Sequence, residues 1–470
     1  MSFSLRNYQV ELILDIKKSM LAGHRKIMVQ SPPRSGKTVC MAHIAKNATD
    51  KQKTVLFFSH RKEINEQVFE TFSRAGVDMG LVYIGTVGSI VRKLGKLPLP
   101  TLILVDEAHH IKASQYQQIL KYYHQAVQLF FTGTPIRLDG SGFDDMADDL
   151  VVGKSILWLQ EHGNISEFDY YSINLLDQAK LRKRQGEYTN QSIDDSFDFK
   201  QQHGDYLSHY ERLAKGKQAI VYCHSVEYAD RVSKRFFEAG YQSAVVSGKT
   251  PKVERERAMR AFRDGEVTIM VNVNLFTEGI DLPGVDVCIM LRPTASLSLY
   301  LQFAMRALNP RDGKRAILID HVGNHIRHGL PNDDRYWTLE GVDKTKSSSK
   351  EKEEAPKTCE NCFATFYRDK IVDGKCPYCD EPLKIIKDIE QEATNETLTL
   401  INQGMEFVSI RGEMIEVTRE EALVYKRVKR YGKKYERCES LAELKAFRII
   451  HGYAPGWLWH KQKELNLWRN

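Results

Sequence analysis

QSPPRSGKTV, residues 30–39, closes the apolar run KIMVQ (26–30) and leads into TVCMAHIAKNA, which spaces like a helix. A strand, a turn ending Ser35-Gly36-Lys37-Thr38 and a helix start form the setting of a phosphate-binding loop. Backbone N–H groups at a helix start point at phosphate oxygens, and Gly36 leaves room for a close approach. Lys37 is placed to reach β and γ phosphates, and Thr38 to put its hydroxyl on Mg²⁺. Such loops usually carry alanine or glycine where this chain has Ser31, and commonly glycine where it has Arg34. Arg34 has three alternatives: solvent, phosphate, or another domain. The Gly-Lys-Thr triplet also arises by chance in turns.

A second stretch, LILVDEAHH (102–110), gives the loop a partner about 70 residues later. Asp106 at the carboxyl end of an apolar strand can hold Mg²⁺, and Glu107 can orient and deprotonate an attacking water. The competing reading is an ordinary acidic pair at a strand end. Working outward, TVLFFS (54–59) and QLFFTGT (128–134) complete a first series of buried-strand runs. KQAIVYC, QSAVVSG, VTIMVNV, VDVCIML and RAILID form a second, beginning near residue 217. The alternation with helical stretches predicts two α/β domains, 1–165 and 201–335, bridged by 166–200. At 470 residues the chain exceeds one core of roughly 100–200 residues.

Beyond 335 the composition changes. Residues 336–357 include KTKSSSKEKEEAPK, nearly free of apolar side chains, and are expected to be a flexible linker. Cys359, Cys362, Cys376 and Cys379 follow as CxxC, thirteen residues, CxxC, which predicts a closed structural zinc ribbon over 358–383. Asp373-Gly374 suits a hairpin turn between its halves. Phe363, Phe366, Tyr367 and Tyr378 can stack on bases or form the ribbon's small core. Cys40, Cys223, Cys288 and Cys438 are scattered. Residues 384–470 read as mixed hairpin and helix. Net charge is +7, and residues 425–470 hold twelve Lys/Arg against four Asp/Glu, so the surplus sits there. A basic tail with interleaved Tyr and Trp fits a polyanion or a solvated helical face. The first twenty residues make neither a signal peptide nor a membrane span, and no other apolar run is long enough to cross a bilayer. The cytoplasm and no membrane partner are expected.

In order and spacing, residues 5–310 resemble a superfamily 2 helicase or translocase of the DExH type. LRNYQ (5–9) resembles the adenine-contacting segment, with Arg6 and Gln9. SPPRSGKT is motif I, FFSHRKEINEQ (57–67) and IGTVGSI (84–90) resemble Ia and Ib, and DEAH (106–109) is motif II. FTGTPIRLDG (131–140) resembles motif III, IVYCHSVEYADRV (220–232) IV, VNVNLFTEGIDLPGVD (271–286) V, and SLYLQFAMRALNP (298–310) VI. The zinc unit and tryptophan-rich ending are similar to RadD-type helicases and bacteriophage-encoded relatives.

The resemblance implies an α/β fold: two tandem RecA-like parallel-sheet domains, then a small zinc ribbon and a mainly helical basic C-terminal region. It implies ATP in the interdomain cleft, with Lys37, Thr38, Asp106 and Glu107 on one side and Gly279, Asp281, Gln302 and Arg306 on the other. Arg61, Thr86, Thr132, Thr134, Ser225 and Ser247 are the implied nucleic-acid residues, with Thr132 and Thr134 also linking hydrolysis to the strand. The implied partner is single-stranded or forked DNA in replication or recombination, with proteins of those processes, in a bacterial or phage-infected cytoplasm. Motif VI departs from the family: Met305 replaces its glycine and Asn309 its second arginine, with Arg311 a possible substitute. A DNA-stimulated ATPase without strand separation, and a binding scaffold with weak ATPase, are the alternatives.

Overall fold

The computed structural model describes residues 4–137, 139–173, 176–184, 186–197, 199–273, 282, 284–341, 356–383, 405–410, 413–429, 431–432, 434–453 and 455–465. Six strands build the first sheet: β1 Lys26–Gln30, β2 Val55–Ser59, β3 Val82–Thr86, β4 Leu102–Val105, β5 Val127–Thr132 and β6 Asp149–Val152. Their order is β3-β2-β4-β5-β1-β6, and every pairing is parallel. The strands are mostly apolar because helices cover both faces. Alternate residues split between the two layers: Ile27, Val29, Phe57, Leu104 and Phe131 enter one, and Met28, Phe58, Val105 and Phe130 the other.

The second sheet takes β7 Glu167–Ser172, and, after a short hairpin of β8 Lys183–Arg184 and β9 Glu187–Tyr188, β10 Ala219–Tyr222, β11 Ser243–Ser247, β12 Ile269–Val273, β13 Val287–Met290 and β14 Arg315–Asp320. Its order is β11-β12-β10-β13-β14-β7, again all parallel. Tyr222, Met290 and Leu318 pack on one face, and Val221, Ile289 and Ile319 on the other. This is the tandem RecA-like α/β architecture. Residues 166–200, expected as a bridge, therefore carry the edge strand of the second sheet. The cause is long-range: β7 pairs with β14 from Arg315↔Glu167 to Asp320↔Ser172, about 150 residues away.

Part of the expected linker is also structured. Leu339 O accepts from Phe143 N (2.6 Å) and Asp144 N (3.0 Å), and Glu340 O from Gly142 N (3.2 Å), so 339–340 return to the first domain. A Cβ on Gly142 would stand 1.7 Å from Leu339 O, which restricts that position to glycine. KTKSSSKEKEEA lies outside the described residues. The ribbon strands, β15 Lys357–Thr358 and β16 Thr365–Phe366, pair antiparallel. The ribbon docks on β7: Ser172 N donates to Phe363 O (2.9 Å), and Tyr171 bridges Ala364. Phe363 meets the His209 ring, with the Arg212 guanidinium over it, and Tyr378 lies between Phe366 and Tyr171. These aromatics thus serve packing.

The contacts divide the chain into two compact units, and the second contains nearly all of the C-terminal region. There, β17 Met405–Ile410 and β18 Glu413–Thr418 form a hairpin, followed by helices Arg419–Lys429, Leu441–His451 and Pro455–Glu464. Tyr425, Val428, Leu444 and Phe447 make its core. Trp457 stacks with Phe447 (5.8 Å) and Tyr453 (4.7 Å), so part of the tail's aromatic set is core. Trp468 lies outside the described residues.

Candidate active site

All strands of the first sheet run the same way, so the loops after β1, β4 and β5 meet at one edge, where α/β sheets bind ligands. The loop after β1 enters the helix Lys37–Thr49 through Gly36 at φ 81°, a left-handed conformation that favours glycine. A Cβ there would also lie 2.3 Å from Gln9 Nε2. Lys37 is therefore the first helical residue and Thr38 the second. The loop is tied internally by Ser31 Oγ to Ser35 Oγ (2.5 Å) and Ser35 Oγ to Pro32 O (2.6 Å). From the N-terminal helix, Gln9 Nε2 (3.0 Å) and Tyr8 Oη (2.9 Å) both donate to Ser35 O. Gln9 Oε1 accepts from Arg6 N (3.0 Å), and the Arg6 guanidinium reaches Asn164 Oδ1 (3.1 Å). The N-terminal segment is thus coupled to the phosphate loop through one carbonyl.

Lys37 Nζ lies 3.5 Å from Glu107 Oε1 and 3.9 Å from Asp106 Oδ1. All three residues are buried, so pairing offsets a desolvation cost that isolated charges would not survive. Asp106 Oδ1 also accepts from Glu107 N (2.9 Å). Glu107 has φ 49°, which costs about 1 kcal/mol for a residue with a Cβ and aims its carboxylate back at Lys37. His109 Nδ1 stands 3.4 Å from Glu107 Oε2.

Motif III lies directly on motif I. Ser31 N donates to Thr132 O (2.9 Å), Gln30 Nε2 to Gly133 O (3.1 Å), and Thr132 and Thr134 bond to each other. Both threonines are buried, so the expected direct strand contact is corrected: the Thr132 hydroxyl bonds within motif III, and the Thr132 carbonyl holds the phosphate loop. Thr86 ends β3, and Arg61 precedes the helix Lys62–Arg74, at the same sheet edge. Ser225 Oγ caps the helix Val226–Glu238 through Tyr228 N, and Ser247 is buried against Thr250, so both hydroxyls have structural duties.

On the second domain, the helix Leu297–Met305 carries Gln302 and ends at Arg306. Gln302 is buried and Arg306 half-buried. Gly279 and Asp281 lie outside the described residues. Asn309 Nδ2 donates to Leu282 O (2.8 Å), and its own carbonyl accepts from Ser166 Oγ (2.5 Å). It is a buried brace, in no position to replace an arginine. Arg311 pairs with Asp286, which assigns it elsewhere too. Arg34 chooses among its three alternatives: Nε donates to Met305 O (2.6 Å) and a terminal nitrogen to Arg306 O (3.3 Å). Its backbone is left-handed, at φ 66°. Tyr8 and Asn164 escaped sequence reasoning; Arg34 gave a signal by standing where glycine is common, and its contact with the second domain was one of its three alternatives.

The Sγ atoms of Cys359, Cys362, Cys376 and Cys379 all lie within 4.8 Å of one another. Cys359 and Cys379 sulfurs are 3.8 Å apart, the tetrahedron edge that Zn–S bonds of about 2.3 Å require. Each knuckle closes the same way: Phe363 N to Cys359 O (2.9 Å) and Asp380 N to Cys376 O (3.0 Å). Phe363 and Asp380 are left-handed. Asp373-Gly374, at φ 52° and 69°, makes the expected tight turn. The donor set fits zinc with no open position. The scattered thiols differ: burial pushes Cys40 up to about 12, and Cys223 and Cys288 also upward, which leaves them unreactive.

Residues 202–310 match the family described as helicase conserved C-terminal domain, and 2–88 with 82–137 match type III restriction enzyme, res subunit. A 51.5 kDa protein of a Lactococcus phage is 40% identical over 378 residues, 80% of this chain and 82% of the relative. The putative ATP-dependent helicase IRC3 of Saccharomyces cerevisiae is 24% identical over 68% of this chain, which spans 51% of that protein. The structure of LlaBIII, an ATP-dependent type ISP restriction-modification enzyme bound to DNA, superposes with a TM-score of 0.51 at 15% identity. That match covers 68% of this chain and 28% of the other. Among the described residues, no helix is long and apolar enough to cross a membrane.

Proposed function

This chain belongs to the superfamily 2 helicases, ATP-hydrolysing proteins that translocate on nucleic acid, and from that premise we propose that it unwinds DNA, on single-stranded or forked substrates. The observation that carries the reading is the buried Lys37–Asp106–Glu107 cluster, with Arg34 of the same loop bonded to the Arg306 carbonyl across the interdomain cleft. In this reading Lys37 and the backbone N–H groups after Gly36 bind the β and γ phosphates. Glu107 orients the attacking water and accepts its proton, and Arg306 neutralises charge developing on the γ-phosphoryl group. Thr38 and Asp106 offer hard oxygen donors that suit Mg²⁺. Gly279 and Asp281, outside the described residues, are proposed to contribute from the second domain. The buried threonines of motif III pass the state of the phosphate loop to the sheet edge that carries Arg61 and Thr86.

DNA is favoured over RNA by the DNA-bound fold relative, and forked substrates by the basic charge of the C-terminal unit, which suits a separated strand. The ribbon's zinc is structural. The proposal extends to work in replication or recombination, alongside proteins of those processes, and the phage relative supports a bacterial or phage-infected cytoplasm. One experiment tests the reading: ATP hydrolysis with and without single-stranded DNA, beside forked-duplex unwinding. DNA-stimulated hydrolysis with strand separation supports it. Stimulated hydrolysis without separation reduces it to a translocating ATPase, and absent hydrolysis leaves a binding scaffold.

A further inference from the structure

Arg34 sits three residues before Lys37 on the phosphate loop, yet its side chain leaves the first domain. Its backbone is left-handed at φ 66°, a conformation that costs a non-glycine residue about 1 kcal/mol. Glycine would remove that cost, so the side chain has to justify the residue. Its guanidinium grips Met305 O (2.6 Å) and Arg306 O (3.3 Å), at the end of the helix Leu297–Met305. The last carbonyls of a helix lack intrahelical partners and carry the negative end of its dipole. A cation there is bound both by hydrogen bonds and by that dipole. Arg306 is the capping residue of this same helix, so the grip falls on the residue placed to meet the γ-phosphoryl group. Asn309, where a second arginine is usual, is committed to Leu282 O and Ser166.

We propose that Arg34 is a positioning residue for ATP hydrolysis, holding the end of the motif VI helix across the cleft and so setting where Arg306 stands relative to Lys37. The proposal rests on the reading of this cleft as the hydrolytic site. It explains why the loop keeps a strained arginine and how motif VI works with Asn309 in place of an arginine. Arginine suits the task because its rigid fork reaches two carbonyls at once, whereas lysine offers a single-point donor.

The test is steady-state phosphate release from ATP with single-stranded DNA, comparing wild type with Arg34→Gly, Arg34→Ala and Arg34→Lys. Loss of two charge-assisted hydrogen bonds to the positioned helix should lower kcat about ten- to a hundredfold in the Gly and Ala variants, with KM for ATP within about twofold. Arg34→Lys should recover part of the loss. Arg34→Gly relieves the backbone, so its melting temperature should match or exceed wild type, which separates lost positioning from misfolding. Wild-type kcat in Arg34→Gly overturns the proposal. So does a raised KM with kcat unchanged, which would make Arg34 a ligand of ATP. If wild type itself releases no phosphate, the functional reading fails and the proposal with it; an active wild type beside unaffected Arg34 variants removes this proposal alone.

Discussion

The ATP cleft and the cysteine ribbon hold five of the six left-handed non-glycine residues among those described: Arg34 and Glu107 in the first, Phe363, Asp373 and Asp380 in the second. In the ribbon these residues close turns whose partners are close in sequence, as Phe363 N bonds to Cys359 O. In the cleft they aim side chains at partners far away: Glu107 at Lys37, seventy residues apart, and Arg34 at Met305, 271 apart. Local closure makes a site that folds around its own ligands, whereas distant aiming makes one that depends on two domains standing correctly together. Loss of the ribbon should therefore damage one small unit, and loss of a cleft residue the coupling of the whole.

The largest expected break is Arg306→Ala, which should reduce DNA-stimulated ATP turnover by about 10³–10⁵. Phosphate release measures it, and retained turnover would remove Arg306 from the site. Glu107→Gln keeps the size and polarity but not the base. Turnover should fall about 10²–10⁴-fold while nucleotide binding persists, read by displacement of a fluorescent ATP analogue. Parallel loss of binding and turnover would instead make Glu107 a structural partner of Lys37. Cys376→Ser probes the other side of the comparison. Metal analysis should show one zinc per chain falling to none, with DNA-independent ATP turnover within about twofold of wild type. A collapse of that turnover would mean the ribbon is no local site.

The smallest effect concerns pH and the second domain. Burial holds the His321 imidazole down at about 3 and His328 at about 4. Both stay neutral when folded, and both titrate near 6.5 when unfolded, so the unfolded chain binds more protons between those limits. Their stabilisation is complete above about pH 6.5 and is lost as pH falls, by about 2 kcal/mol each at pH 5. Urea unfolding from pH 7 to 5 should show that slope, and His321→Phe should flatten part of it. A slope unchanged by that substitution would place its origin elsewhere.

Much of this was legible in advance. KIMVQ, TVLFFS, QLFFTGT and their second-domain counterparts announced buried strands, because a parallel sheet covered on both faces leaves unbroken apolar runs. The ribbon was legible because all its ligands lie within 21 residues. Other features were not. EFDYYS alternates weakly and, read alone, gave no sign that it closes the second sheet. Thr132 and Thr134 looked like surface contacts because a motif records which residues occur, not which side of the sheet edge they face.

By itself, then, the sequence determined the order of strands and helices, the phosphate loop with its acidic partner, and the four thiols. Each depends on local periodicity or fixed spacing, which the covalent chain enforces. Tertiary structure alone decided that 167–172 joins the second sheet, that 339–340 return to the first domain, that Asn309 is a brace and that Arg34 crosses the cleft. Each of these rests on hydrogen bonds between residues more than twenty, and mostly more than a hundred, positions apart. No local pattern encodes such pairs: they form only when folding brings distant segments together, within one sheet for β7 and across the cleft for Arg34.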